Sequence, residues 1–290
     1  MELSSWEAAG IAAKALTYAF SLTVAGGAIF IFFFARLLRG DERAHFAQAS
    51  CALALAAAVF TALRLPIIAG TLGGDLSGMS DWSLLQFVFE SSEGVAAAVR
   101  AAGLALIPLV LLPSVAASAI AFVGALLVAA SFAFTGHSQT LGVLPQILVT
   151  VHLIGVSYWL GAFYPLRHLT YRPDVPGVAH IMKRFGAIAL YVVGALIAAG
   201  ATLLWILLEA PLAMLDSGYG RVLAVKLLLV SGLLALAATN KLLLTPALLR
   251  GDVAALLRLR RSITAELALA ALVLLVTATL TTVTGPPALE

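Results

Sequence analysis

The sequence predicts an all-α protein: a polytopic transmembrane helical bundle of about eight spans. Of its 290 residues, 62% are hydrophobic and 11% are charged, and the mean hydropathy is +1.07. A soluble domain of this composition would have too few polar side chains to cover its surface. The apolar runs are long enough to cross a bilayer of about 30 Å as helices, and they lack the alternation of an outer-membrane barrel.

The apolar runs predict one membrane domain over residues 1–290, with no soluble domain between any two spans. Pro113 separates the third span from the fourth, because their combined run is too long for one crossing. No basic region precedes the first run, so we expect it to be retained rather than cleaved as a signal peptide. The predicted spans are Ile11–Leu38, Ala44–Gly70, Gly94–Leu112, Ser114–Phe134, Leu144–Leu166, His180–Leu208, Tyr219–Leu243 and Ala255–Val283.

The basic residues predict the direction of the spans. Of the 17 Lys and Arg residues, 12 lie in or beside the links between spans one and two, five and six, and seven and eight. Acidic residues collect at the opposite ends of the spans. By the positive-inside rule the basic links face the cytoplasm, and both termini face outward, to the periplasm. The basic pI near 9.2 therefore reflects these loops, and we expect a lipid bilayer rather than nucleic acid as the partner.

The predicted direction of the spans divides the five histidines between the two sides of the membrane. His45, His168 and His180 lie at cytoplasmic ends among arginines. His137 lies at the outer end of span four, and His152 lies one to two turns inside span five. An imidazole near hydrocarbon is costly without a partner and indicates function. Because imidazole is a common ligand of transition metals, His137 and His152 are the predicted outer metal ligands.

Sulfur ligands could complete this outer site. Met79 and Met214 lie in outer loops on the same side, and a thioether together with imidazoles suits copper. Each of these residues also has a structural explanation, as a loop contact, a helix cap or a core histidine. The single cysteine, Cys51, excludes an intramolecular disulfide and a cysteine-based metal cluster.

The outer half of the predicted bundle is unusually polar for a membrane. Glu90 and Glu93 are expected on one helical face at spacing i, i+3, and Glu93 and Arg100 at i, i+7. Such charges indicate either structural ion pairs or a hydrated vestibule. The charged residues at this level are Lys14, Arg64, Glu90, Glu93, Arg100 and Lys226.

Three further residues of interest lie in spans five, seven and eight. Glu266 in span eight is expected near the end of span seven, where Asn240 lies, as a polar contact or as part of an ion relay. Trp159 follows His152 by seven residues on one face of span five. We expect Trp159 to pack against another helix near the metal site or to seal the bottom of a pocket.

Several motifs together resemble the copper resistance protein D (CopD) family of bacterial inner-membrane proteins. The resemblance is strongest over residues 180–287, and Gly136-His137 and His152 with Trp159-Leu160-Gly161 are also similar to that family. The C-terminal motifs are Met182-Lys183-Arg184-Phe185-Gly186, Tyr219-Gly220-Arg221, Lys226-Leu227, Asn240-Lys241, Thr245-Pro246-Ala247-Leu248, and Arg261 followed by Glu266.

The resemblance implies a multi-pass protein of the inner membrane that handles periplasmic copper, often beside a small periplasmic copper carrier of the CopC type. We expect such a carrier to be a separate protein. The leading hypothesis is uptake or transfer of a copper ion toward the cytoplasm through His137 and His152, without enzymatic activity. The alternative is a membrane redox protein that binds haem b through the same histidines. A copper sensor or assembly chaperone ranks third.

Overall fold

The computed structural model describes residues 5–135, 142–207 and 218–281, which form helices joined by short links and contain no strand. Eight of the described helical segments are long and apolar enough to cross a membrane. The predicted all-α membrane bundle is therefore confirmed. The α-helices are α1 (Ser5–Phe34), α2 (Gly40–Gly73), α3 (Trp82–Glu90), α4 (Ser92–Leu106), α5 (Val115–Ala130), α6 (Val143–Leu169), α7 (Val175–Leu207), α8 (Gly218–Thr239), α9 (Thr245–Leu249) and α10 (Ala254–Leu280).

The break between the third and fourth spans lies where Pro113 predicts it. After α4 a 3₁₀ turn, Ile107–Leu111, completes the third span. Ser114 then caps α5, since its hydroxyl accepts a hydrogen bond from the backbone of Ala117. The backbone of Ser114 is extended, as that of an N-cap residue has to be, so two antiparallel spans form instead of one overlong helix.

One helix, α3, lies in a link that the sequence assigned to a loop. Asp81 caps it by accepting hydrogen bonds from the backbone of Ser83 and Leu84. The Ser83 hydroxyl and these amides hold the pKa of Asp81 below its usual range. Trp82 and Phe87 are exposed on this short helix, which is typical of a segment that lies in the membrane interface.

The central helix of the bundle is α1, which packs on α2, α5, α6 and α10. It crosses α6 closely at Gly26 and Gly161. A Cβ on Gly26 would collide with the carbonyl of Ser157, and one on Gly161 would collide with the backbone of Gly26. Glycine is therefore needed at this crossing to bring the two backbones together.

Contacts between helix ends gather the basic links on one face of the bundle. The Arg43 guanidinium donates to the carbonyls of Val110, at 3.2 Å, and Leu112, at 2.7 Å. Arg260 donates to the hydroxyl and carbonyl of Thr170, both at 3.0 Å. The first contact joins α2 to the end of the third span, and the second joins α10 to the end of α6. We refer to this face, following the charge rule, as the cytoplasmic face.

Helices α7 and α8 have large apolar side chains exposed on the outside of the bundle. Tyr191 and Trp205 on α7 and Leu228 on α8 are exposed. In a membrane such side chains contact lipid, because lipid tails are as apolar as a protein core. The polar residues of α6, α8 and α10 therefore lie on the inner sides of a lipid-facing group of helices.

Candidate functional site

The predicted histidine of span five faces α7. His152 is half-buried on α6, and its ring lies over Gly200, where a Cβ would come within 3.9 Å of Nδ1. The backbone of Leu196 lies beside the ring as a hydrogen-bonding partner of the imidazole. The His152 Nδ1 is buried and makes no hydrogen bond of normal length and angle within the described ranges. A neutral imidazole always keeps one nitrogen lone pair, so this ring is able to bind a metal.

A basic neighbour of His152 is Lys226 of α8, which lies close enough for a charge on its amine to act on the imidazole. An ammonium at this position repels any cation on the ring. A metal at His152 therefore needs an anionic or additional neutral ligand, or a shift of the Lys226 side chain. Glycine at position 200 leaves space beside the imidazole, because the methyl of an alanine there would only touch the ring.

A second polar group lies deeper along the same helix. The Trp159 indole Nε1 donates a 3.1 Å hydrogen bond to Oε2 of Glu266 on α10. The amide Nδ2 of Asn240 donates to Oε1 of the same carboxylate, while Oδ1 of Asn240 is buried without a partner in the described ranges. Glu266 is only 3% exposed. These three residues hold a carboxylate inside the bundle, and we call them the Glu266 triad.

A π-helical turn aims Asn240 at this carboxylate. The turn covers Asn240–Leu244, directly before the Thr245-Pro246 step of α9. Proline has no backbone N–H and its ring clashes with the carbonyl four residues earlier, so the helix has to change its hydrogen-bond pattern nearby. Such π turns often occur at functional positions in helices. Asn240 is thereby brought to α10.

His152 and the Glu266 triad form one polar line. Trp159 follows His152 by seven positions, which is about 10 Å along one face of a helix. The line runs from the outer half of α6 toward the middle of the bundle. We call it the His152–Glu266 line. The sequence predicted Asn240 as one possible partner of Glu266, but it did not predict the hydrogen bond from Trp159.

The other charges form a separate cluster among the first four spans. Arg64 of α2 and Glu93 of α4 make a two-fold hydrogen-bonded ion pair, at 2.6 and 2.7 Å. Arg100 is 1% exposed; its Nε donates to Ser131 at 3.1 Å, and its guanidinium lies 4.0 Å from the Phe132 ring centroid. These contacts hold α2, α4 and the end of the fourth span together.

The expectation that Glu90 and Glu93 share one helical face is wrong. Glu90 ends α3, and Ser91 begins a new helix as the cap of α4, so the two residues are on different helices. Glu90 is exposed and accepts a hydrogen bond from Gln86. Glu93 pairs with Arg64 across helices rather than along its own helix with Arg100. The break at Ser91 separates them because an extended cap residue interrupts the helical periodicity.

The structure does not bring all the predicted metal ligands together. Met79 lies at the end of a 3₁₀ turn against Gly70, where the ring of Trp6 also packs. This is the N-terminal side of the bundle, whereas His152 faces α7. His137 and Met214 lie outside the described residues. Within the described ranges, no group of three or more His, Cys, Asp or Glu side chains could hold a metal ion.

Comparison with known families decides the family of this chain. The family described as copper resistance protein D matches residues 179–280. The family described as copper resistance protein D-like, N-terminal domain, matches residues 4–144.

The chain belongs to the copper resistance protein D family. The C-terminal match contains Lys226, Asn240 and Glu266, and the N-terminal match contains the Arg64–Glu93 pair. His152 and Trp159 lie between the two matched segments. No curated protein and no solved structure matches the chain. The family indicates a membrane protein of copper resistance, and the roles of individual residues have to be argued from their geometry.

Proposed function

We propose that the protein mediates copper uptake from the periplasm, with His137 and His152 as outer ligands, and passes the ion inward along the His152–Glu266 line. The observation that carries the proposal is the buried Nδ1 of His152, which makes no hydrogen bond of normal length and angle in the described ranges. A buried nitrogen of this kind costs free energy unless something binds it. In a member of a copper resistance family, a copper ion is the natural partner.

The Glu266 triad supports inward transfer. A carboxylate inside a membrane bundle is expensive and usually marks an ion or proton path. Trp159 and Asn240 each donate one hydrogen bond to Glu266, so the carboxylate oxygens stay oriented while keeping further lone pairs. A cation that leaves His152 would meet this carboxylate near the level of Trp159, which lies about 10 Å further along α6.

Lys226 affects which charge state of copper could bind at His152. When it is protonated, Lys226 opposes a bare cation at His152. Copper bound by the neutral His137 and His152 imidazoles therefore favours the lower charge, Cu(I), or an ion that brings an anion with it. We propose a CopC-type periplasmic carrier as the donor, because it would deliver the ion directly to the outer face.

The proposal is tested by the double variant His137→Ala plus His152→Ala. We expect the purified protein to lose one equivalent of bound copper, or to bind that equivalent at least tenfold more weakly, which is about 1.4 kcal/mol. Cells that express the variant should also lose the copper accumulation that the native protein confers. Copper analysis by mass spectrometry measures both quantities. The control is His180→Ala, on the exposed start of α7. Unchanged stoichiometry and unchanged cellular copper in the double variant would contradict the proposal.

The alternative is a haem b redox protein, favoured by the same buried imidazole. Haem needs an axial ligand on each ring face, which here would be His152 and His137. The absorption spectrum of the purified protein separates the two functions. A Soret band that disappears in His152→Ala would support haem, whereas copper binding by a protein without a visible haem spectrum would support uptake.

A further inference from the structure

Two histidines that the sequence left at cytoplasmic ends meet each other in the fold. His45 begins the second span on α2, and His168 ends the fifth on α6. Their ring centroids are 4.9 Å apart and their planes are tilted by 30°. The Tyr164 hydroxyl hydrogen-bonds to Nε2 of His45. All three side chains are exposed, and we call them the inner histidine pair with its tyrosine.

Burial does not explain this cluster. Exposed polar side chains obtain hydrogen bonds from water, so they have little need for partners within the protein. The nearby cations are engaged elsewhere: Arg172 pairs with Glu42, and Arg167 donates to Thr264 at 3.1 Å. Neither imidazole makes an ion pair with a carboxylate in the described ranges. Two imidazoles thus lie side by side with ring nitrogens available.

The ring geometry suits a metal ion. A metal–imidazole bond is about 2 Å, so two nitrogens on one ion are about 4 Å apart when they bind from opposite sides. The ring centroids are 4.9 Å apart, so the side chains have to turn and separate slightly to place one nitrogen of each ring on the same ion. The Tyr164 hydroxyl hydrogen-bonds to Nε2 of His45, which leaves Nδ1 of that ring to bind the metal. Metal-binding histidines commonly have such a hydrogen bond on the second nitrogen.

The site adjoins an opening into the bundle. A crevice of about 20 Å³ lies between α1, α2 and α6, with Phe46, Ser50, Gly161 and Tyr164 in its lining. It has room for one water-sized species. Phe46 forms its wall toward the pair, with the His168 ring 5.4 Å away and perpendicular to it. The inner pair therefore lies beside a small, mainly apolar crevice, to which Tyr164 and Ser50 contribute polar atoms.

We propose that His45 and His168 form a second metal site, on the cytoplasmic face, which takes Cu(I) between two imidazoles. Imidazole suits copper among the transition metals, and Cu(I) is stable with two ligands, whereas zinc in proteins takes four. Tyr164 is a positioning residue that orients His45. Copper binding at this pair does not depend on the His152 site, but its role as the release point of an uptake path rests on the proposed function.

Cu(I) titration of the full-length protein against a colorimetric Cu(I) chelator tests the site. We expect His45→Ala and His168→Ala each to remove one Cu(I) equivalent, or to weaken it about 100-fold, as loss of a ligand should cost at least as much as loss of its supporting contacts. Tyr164→Phe should weaken the same equivalent about tenfold and preserve stoichiometry. His180→Ala, another exposed cytoplasmic-face histidine, is the matched control.

The titration separates this site from the outer one. His152→Ala should leave the inner equivalent intact, so failure of the outer site and failure of the inner site give different results. His45→Gln and His168→Gln provide second variants that keep polarity if alanine impairs folding. Unchanged Cu(I) stoichiometry and affinity in both histidine variants would overturn the proposal. Tighter binding of Zn²⁺ than of Cu(I) by the native pair would overturn the choice of metal.

Discussion

At the scale of single residues, Glu266 shows how the fold satisfies a carboxylate inside a membrane. Its two oxygens take hydrogen bonds from Trp159 and Asn240, which reach it from two different helices. A sequence places Glu266 on a helix but does not specify which neighbour faces it. The position of Trp159 within a span was a usable signal, because an indole N–H inside a membrane needs an acceptor.

Replacement of Glu266 should destabilise the protein in proportion to the hydrogen bonds it loses. Glu266→Leu leaves two donors without an acceptor and should cost about 1–3 kcal/mol of unfolding free energy. Glu266→Gln keeps an oxygen for Trp159 and should cost less. Equilibrium unfolding by SDS in mixed micelles, followed by tryptophan fluorescence, measures the difference. Glu90→Gln, at an exposed carboxylate, is the control, and native stability of Glu266→Leu would contradict the assignment.

At the scale of helices, the sequence predicted the spans well, because each span is an apolar run bounded by polar or helix-breaking residues. The first predicted span, Ile11–Leu38, compares with Ala8–Leu37 in the structure, and the fifth, Leu144–Leu166, with Val143–Leu169. The interfacial helix α3 was missed, since nine residues are too few to give a hydropathy signal. Its cap, Asp81 before Ser83, was the available clue.

The crossing of α1 and α6 should be intolerant of a methyl group. In Gly26→Ala the new Cβ meets the backbone carbonyl of Ser157, which cannot move without the whole helix. We expect a loss of about 1–3 kcal/mol, the usual cost of overpacking. Thermal unfolding of the purified protein in detergent provides the measurement. Gly194→Ala on α7 is matched, because nothing lies within 4 Å of its added Cβ, and equal melting of the two variants would refute a tight crossing.

At the scale of the whole molecule, the predicted site was harder to infer than the fold. The sequence assigned charges to the outer half, but it could not separate the Arg64–Glu93 pair from the His152–Glu266 line. These groups are on different sides of the bundle because pairing between helices depends on tertiary packing, which hydropathy does not encode. The meeting of His45 with His168 was missed for the same reason: 122 positions separate the two residues in the chain.

Both proposed copper sites depend on the orientation of the bundle in the membrane. His152 has to be accessible from the periplasm, and the inner histidine pair from the cytoplasm. The basic links on one face predict that this face is cytoplasmic. Labelling of single cysteines in a Cys51→Ala background tests it, at two exposed apolar positions on opposite faces, Leu76→Cys and Val253→Cys. We expect a membrane-impermeant maleimide to label Leu76→Cys in intact spheroplasts and Val253→Cys only after lysis. Labelling of both variants after lysis is the reactivity control. The reverse labelling pattern would mean that the bundle has the opposite orientation. His45 and His168 would then face the periplasm and would be the first copper ligands that an incoming ion meets.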